Sequence, residues 1–162
     1  MPYDGVIVKE AILREQSRGG QIFYICPQIK DLDKVSRALK VLVPETRIVI
    51  AHGQMSPSEL DQAMTSFYER KFDLLLATSI IESGLDIPTV NTLIVHRSDR
   101  FGLAQLYQLR GRVGRSKVRA YAYFTVNSPN SLRGDALKRL EALNQLDSVG
   151  SGFSLASHDL DI

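Results

Sequence analysis

The sequence predicts an α/β fold in which a central, mostly parallel sheet is flanked by helices. Short apolar runs rich in β-branched residues alternate with segments of helical period, which is typical of βαβ units. A length of 162 residues and an apolar content of 44% are enough for one domain with its own core. The sequence therefore favours a single lobe built around one sheet.

The first half of the chain contains three predicted strands and three predicted helices. The strands are residues 22–26, 47–51 and 73–77, each a short apolar run. The first helix, 6–18, is closed by Gly19 and a second glycine, and the next, 33–42, is stopped by a proline. The third begins at Ser56-Pro57-Ser58-Glu59, a capping box with proline at the first helical position. Its core-facing stripe is Leu60, Met64 and Phe67.

The second half continues the alternation and then becomes irregular. Strands are predicted at 92–96 and 120–126, and a short helix at 102–110 precedes a glycine- and arginine-rich loop. An amphipathic helix is predicted at 135–146, where three leucines recur on one face. Residues after Val149 show neither a helical nor a strand pattern, and the Gly-Ser-Gly run at 150–152 favours a flexible hinge. We therefore expect the tail at 150–162 to be disordered or displaced.

Charge, cysteine content and hydropathy limit the environment and the partners. The formal net charge is only +2, but residues 97–119 carry seven basic side chains and one acid, whereas residues 145–162 carry three acids and neither Lys nor Arg. Such a division concentrates positive potential where a polyanion can bind. The single cysteine excludes an internal disulfide, and no apolar run approaches the ~20 residues of a membrane helix. We expect a cytoplasmic protein with no membrane partner.

The segment 105–115, QLYQLRGRVGR, has the composition of a phosphate-binding loop. It places three arginines and two glycines within six residues, beside two glutamines. Glycines let the backbone approach a ligand closely, and guanidinium groups present fixed forks of donors that fit phosphate oxygens. The alternative is a basic, solvated helix end, which many short arginine runs are.

This segment resembles motif VI of superfamily 2 helicases and translocases, whose pattern is Gln-x-x-Gly-Arg-x-Gly-Arg. The matching residues are Gln108, Gly111, Arg112, Gly114 and Arg115. Residues 75–88, LLATSIIESGLDIP, resemble motif V, residues 21–27, QIFYICP, resemble motif IV, and residues 52–55, HGQM, resemble the short motif that follows it. The resemblance implies the second RecA-like lobe of a motor that uses ATP.

A complete nucleotide hydrolase also needs a Gly-x-x-x-x-Gly-Lys-[Ser/Thr] loop for the phosphates and an acidic box for magnesium. The chain has no Gly-Lys pair and no Asp-Glu pair. We therefore expect no ATP hydrolysis from this chain alone, with ATP and Mg²⁺ shared with a first RecA-like lobe. Metal-ligand spacing is also missing, because the three histidines and Cys26 are far apart in the sequence.

Four segments indicate the branch of the superfamily. Residues 101–115 resemble the group formed by RecG-type branch-migration translocases and bacterial transcription-repair coupling factors. Residues 80–88, the AYAY run at 120–123 and GSGFSLASHDLDI at 150–162 favour the coupling factors, and the last resembles the start of the TRG translocation motif. The resemblance divides the chain into a lobe at 1–127 and a helix with the truncated motif at 128–162. It implies a double-stranded DNA translocase that displaces stalled RNA polymerase and recruits excision-repair proteins.

The same resemblance implies site residues. Arg112 and Arg115 would act as arginine fingers, with Gln108 orienting water or contacting the γ-phosphate. The residues implied at ATP are Gly84, Asp86 and Gly111, and those implied at the DNA backbone are Thr78, Ser79, Pro27, His52 and Gly53. Two of these have structural alternatives, since Thr78 is also a candidate N-cap and Asp86 a candidate Asx-turn. A silent DNA- or protein-binding module with this fold is the rival from another class.

Overall fold

The computed structural model describes residues 5–78, 90–101 and 120–125, and the backbone of residues 153–155. Within these residues six strands form one sheet in the order β2-β3-β1-β4-β5-β6, and every pairing is parallel. The strands are β1 Gln21–Cys26, β2 Ile48–Ala51, β3 Leu74–Thr78, β4 Val90–Val95, β5 Ala120–Phe124 and β6 Phe153–Leu155. The helices are α1 Gly5–Ser17, α2 Ile29–Leu42 and α3 Pro57–Tyr68. The predicted parallel sheet with flanking helices is confirmed.

The two faces of the sheet are covered by different helices. Along β1, Phe23 and Ile25 contribute to a cluster with Phe67 of α3, whereas Ile22, Tyr24 and Cys26 contribute to the cluster with α1 and α2. This alternation is the period of two that a strand imposes on its side chains. All six residues of β1 are buried, as expected for a central strand with helices on both faces.

The third helix follows its sequence signals closely. Ser56 Oγ accepts from the Glu59 N–H at 3.1 Å, and Glu59 Oε1 accepts from the Ser56 N–H at 3.3 Å. The Phe67 ring stacks on Phe23 with centroids 5.8 Å apart. Gln21 then holds the end of α3, because its side-chain amide donates to the carbonyl oxygens of Phe67 and Phe72, each at 2.9 Å. The capping box and core stripe are confirmed, with Leu60 only partly buried.

The first helix ends as its glycines predict and is attached to β4 through a buried carboxylate. Gly19 has a φ of +79°, a conformation that only glycine adopts freely. A Cβ on Gly20 would overlap the carboxylate of Glu15. That carboxylate is 1% exposed, accepts from Thr92 Oγ1 at 2.5 Å and lies 3.5 Å from Arg18 Nη1. Glu15 therefore fixes α1 against the sheet.

Two expectations are wrong at their boundaries. The second helix begins at Ile29 and not at 33, because the Asp31 carboxylate accepts from the Gln28 N–H at 3.2 Å and caps the helix one turn earlier. We expected the tail to be disordered or displaced, and disorder is wrong for part of it, because β6 forms where Phe153 pairs with Ala120 and Leu155 with Ala122. The backbone of β5 offers a free edge, and pairing there orders a segment that its glycines made look irregular. The helices predicted at 102–110 and 135–146 lie outside the described residues.

Among the described helices, none combines the length and the apolar character needed to cross a membrane.

Candidate functional site

A groove of about 660 Å³ lies at the carboxyl ends of β1, β2 and β3. It is lined by Pro27, Gln28, Ile29 and Lys30 after β1, by Gly53 and Gln54 after β2, and by Thr78 at the end of β3. Three of these residues, Pro27, Gly53 and Thr78, are ones that the sequence predicts at the DNA backbone. The fold therefore brings residues from three separate motifs into one groove, at the edge where ligands bind in open parallel sheets.

The amino terminus of α2 brings partial positive charge and Lys30 to the groove, beside the first-turn carboxylate of Asp31. Gln28 precedes the helix with an extended backbone, and Lys30 lies in the first turn with its side chain exposed. Unpaired N–H groups in a first turn carry partial positive charge, so anions bind favourably there. The Lys30 ammonium adds a full positive charge at the same place. Together they suit a phosphate group.

A tight turn after β2 presents the other wall. The His52 carbonyl oxygen accepts from the Met55 N–H at 3.2 Å, and His52 Nδ1 accepts from the Gln54 N–H at 3.2 Å. The His52 N–H in turn points to the Met55 sulfur at 3.3 Å. His52 thus holds the turn, and the residues that line the groove are its neighbours Gly53 and Gln54. Contact between His52 and DNA stays a prediction.

The floor of the groove is the buried end of β3. Thr78 is the last residue of β3, is 7% exposed and pairs in register with Cys26 of β1. Burial, with a smaller contribution from the charge of Asp31, raises the pKa of the Cys26 thiol. The thiol therefore stays protonated and packs as an apolar group, so Cys26 is a core residue and not a nucleophile.

A second feature at this edge is the turn that follows β4. Arg97 has a left-handed backbone with a φ of 51°, and its Nη1 lies 3.6 Å from Asp31 Oδ1. Ser98 is fixed to the next strand, because its N–H and its Oγ donate to the Thr125 carbonyl oxygen at 2.7 and 3.0 Å. The chain then continues through the buried Phe101 toward residues 102–119. That segment therefore leaves the sheet from a fixed turn, and the described chain resumes at Ala120, the first residue of β5.

All six predicted ATP-facing residues lie outside the described part of the chain. They are Gly84, Asp86, Gln108, Gly111, Arg112 and Arg115, and the predicted DNA contact Ser79 lies outside it as well. The roles proposed for all seven remain predictions. In the described ranges, no group of three His, Cys, Asp or Glu side chains is placed to hold a metal ion.

The groove also contains polar residues that the sequence analysis missed. Gln28, Lys30 and Gln54 line it, and Asp31 and Arg97 form an ion pair beside it. Their positions in the sequence could have indicated them, because Lys30 follows the first strand and Arg97 follows the fourth, and ligands bind at the carboxyl ends of parallel strands. Only the structure shows that helix α2 starts early enough to place Lys30 in its first turn.

Comparisons with known proteins agree with this geometry. The family described as helicase conserved C-terminal domain matches residues 6–117. Transcription-repair-coupling factors are 52% identical over 162 residues in Rickettsia prowazekii, 54% over 162 in Myxococcus xanthus and 52% over 160 in Escherichia coli. These alignments cover 99–100% of this chain but only 14% of each relative, so the chain spans a small part of their length.

Solved structures show the same fold. RecG bound to a three-way DNA junction is similar with a TM-score of 0.74 and 38% identity, covering 88% of this chain and 19% of that one. Yeast Dbp5 bound to RNA and ADP BeF3 has a TM-score of 0.67 at 19% identity, covering 94% of this chain and 39% of that one. The second likeness concerns the fold alone.

Proposed function

Because this chain belongs to the helicase conserved C-terminal domain family and is homologous to a segment of bacterial transcription-repair coupling factors, we propose that it is the second motor lobe of an ATP-dependent double-stranded DNA translocase. In this proposal the lobe grips the DNA backbone and supplies arginines to an ATP site shared with a first lobe. The full-length protein would displace stalled RNA polymerase and bring in excision-repair proteins.

The groove at the carboxyl ends of β1, β2 and β3 is the observation that carries the DNA-binding part of the proposal. It combines a helix amino terminus, the exposed Lys30 and the small residue Gly53 in one open cleft. Such groups bind phosphate and sugar without reading base sequence. A translocase needs this kind of contact, because it must release and rebind the backbone at every step irrespective of sequence.

The catalytic part of the proposal assigns Arg112 and Arg115 to the phosphates of ATP, with Gln108 beside them. The turn at Arg97–Phe101 supports this assignment, since the segment that carries these arginines begins there, where Ser98 is fixed to Thr125 at the carboxyl edge of the sheet. Asp86 and the glycines Gly84 and Gly111 would contact ATP, and the first lobe would supply the phosphate loop and the magnesium ligand. The lobe alone would then be inactive.

Sequence identity favours a coupling factor over a RecG-type translocase. Identity to coupling factors is 52% over the whole chain, whereas identity to RecG is 38% over 88% of it. The RecG likeness still makes the lobe of a branch-migration translocase the second candidate, and both candidates act on duplex DNA by the same lobe mechanism. A binding module without ATPase function would need the groove but not Gln108, Arg112 or Arg115.

Phosphate release by the full-length polypeptide tests the proposal. Arg112→Ala and Arg115→Ala should each lower DNA-stimulated turnover by roughly 10³–10⁵-fold, as loss of an arginine finger does elsewhere. Arg37→Ala is the matched control, because Arg37 is 73% exposed on α2 and pairs only with Asp33 of the same helix in the described residues. Normal turnover in both variants would contradict the finger assignment. Reduced turnover with an unchanged DNA affinity would exclude a binding module without ATPase function.

A further inference from the structure

The described part of the chain contains one ion pair that joins the groove to the turn before the arginine-bearing segment. Asp31 belongs to the first turn of α2, and Arg97 lies two residues after the end of β4. Their side chains are 11% and 20% exposed, and Asp31 Oδ1 lies 3.6 Å from Arg97 Nη1. The other ion pair within reach of α2, Asp33 with Arg37, is 79% and 73% exposed and stays within the helix.

Each partner is held on its own side. Asp31 uses its second oxygen, Oδ2, to accept from the Gln28 N–H at 3.2 Å, so its carboxylate is committed to the start of α2. Arg97 has a φ of 51°, a region that non-glycine residues rarely adopt. The next residue, Ser98, is fixed to Thr125 by two hydrogen bonds. The side chain of Arg97 is thereby directed from a constrained turn toward α2.

We propose that Asp31 and Arg97 are a positioning pair, which holds the segment after β4 in register with the DNA-backbone groove. Neither residue needs to touch ATP for this role. The inference rests on the proposed function, because it assigns the pair to the coupling between DNA in the groove and phosphate at the arginines. A pair that is shielded from solvent and committed at both ends transmits position better than an exposed pair on one helix.

The charge of Asp31 makes the role separable from DNA binding. A carboxylate beside a phosphate-binding groove opposes DNA electrostatically, so replacing it with the neutral amide should preserve or raise DNA affinity. Asparagine also keeps an oxygen that accepts from the Gln28 N–H, so Asp31→Asn retains the helix cap. Loss of catalysis without loss of DNA affinity is therefore the signature of the positioning role.

The experiment measures kcat for ATP hydrolysis at saturating duplex DNA and Kd for the same DNA, on the full-length polypeptide. The variants are Asp31→Asn, Arg97→Gln and the double variant, with Asp33→Asn and Arg37→Gln as matched controls. Each variant of the pair should lower kcat by about 10- to 100-fold, the scale of a displacement of about 1 Å in a reacting group. The Kd for DNA should weaken by no more than about twofold, and the controls should leave both quantities unchanged to the same margin.

The double variant decides whether the two residues act through each other. We expect the kcat of the double variant to be no lower than the kcat of the less active single variant, because an interaction can be lost only once. Multiplied losses, single variants with normal kcat, or a Kd that weakens in parallel with kcat would each overturn the pair. If Arg97→Gln fails to fold, Asp31→Asn against Asp33→Asn decides alone. A wild-type protein without DNA-stimulated hydrolysis would instead contradict the proposed function itself.

Discussion

Replacing Lys30 with alanine removes one positive charge from the DNA-backbone groove and changes little else. Lys30 is exposed in the first turn of α2 and lines the groove. A lysine at a helix amino terminus is unfavourable for the helix dipole, so its removal should not destabilise α2. Any loss of DNA affinity in Lys30→Ala can therefore be assigned to the missing contact.

The size of the effect follows from counterion release. Each phosphate neutralised on duplex DNA contributes about 0.9 to the slope of log affinity against log salt. One contact is accordingly worth about eightfold in affinity at 0.1 M salt relative to 1 M salt. Lys30→Ala should reduce the slope by about 0.9 and lose that affinity at low salt, with the loss disappearing as salt rises.

The control is Lys40→Ala, which makes the same charge change on the same helix. Lys40 is exposed in the last turn of α2, ten residues further on and so about 15 Å along the axis. That distance exceeds the screening length of about 8 Å at physiological salt, so Lys40 should contribute little. Fluorescence anisotropy of labelled duplex DNA over a salt series supplies both slopes. Equal slopes for the wild type and Lys30→Ala, or equal changes in the two variants, would refute the groove as the phosphate site.

Three further predictions concern stability and the tail. Ser56→Ala removes the cap on the Glu59 N–H and should cost about 1 kcal/mol in urea unfolding of the purified chain, whereas a cost near zero would mean that the cap is not stabilising. Burial alone would raise the pKa of Asp73, but hydrogen bonds from the Arg47 side chain and backbone lower it overall. Asp73→Asn should therefore destabilise the chain near neutral pH. That difference should vanish as the pH falls through the folded-state pKa, and a difference that persists there would contradict the charge-based origin. Deleting residues 150–162 together with the residues that follow them in the full-length polypeptide also removes the edge strand β6, and it should lower translocation more than ATP hydrolysis. Equal loss of both activities would mean that the tail only completes the sheet.

The sequence predicted those elements whose ends or composition are set by nearby residues. The start of α3 was predictable because Ser56 and Glu59 are three residues apart and satisfy each other's backbone. Strand β1 was predictable as the apolar run at 22–26, because a strand buried between helices on both faces is apolar nearly throughout. The end of α1 was predictable because Gly19 adopts a positive φ. For the two helices the determining interaction lies within a few residues of the signal, and for β1 the apolar composition alone is the signal.

Longer-range contacts explain what the sequence could not predict. Helix α2 begins early because Asp31 caps it, and the same carboxylate is paired with Arg97, which is distant in the sequence. Strand β6 forms through backbone pairing with β5. No side-chain pattern in the tail predicts this pairing. Lys30 was missed for a related reason, since an exposed lysine gains its role only when the strand ends come together.

Triplex displacement tests the central claim that this chain is a motor lobe acting on double-stranded DNA. A third strand annealed to a duplex is released only by a protein that moves along the duplex, and release can be measured beside phosphate release on the same preparation. The full-length polypeptide should displace the triplex in an ATP-dependent manner, and Arg115→Ala should bind the duplex normally but leave the triplex intact. Duplex binding without any ATP-dependent displacement by the wild type, or displacement by Arg115→Ala at the wild-type rate, would contradict the account.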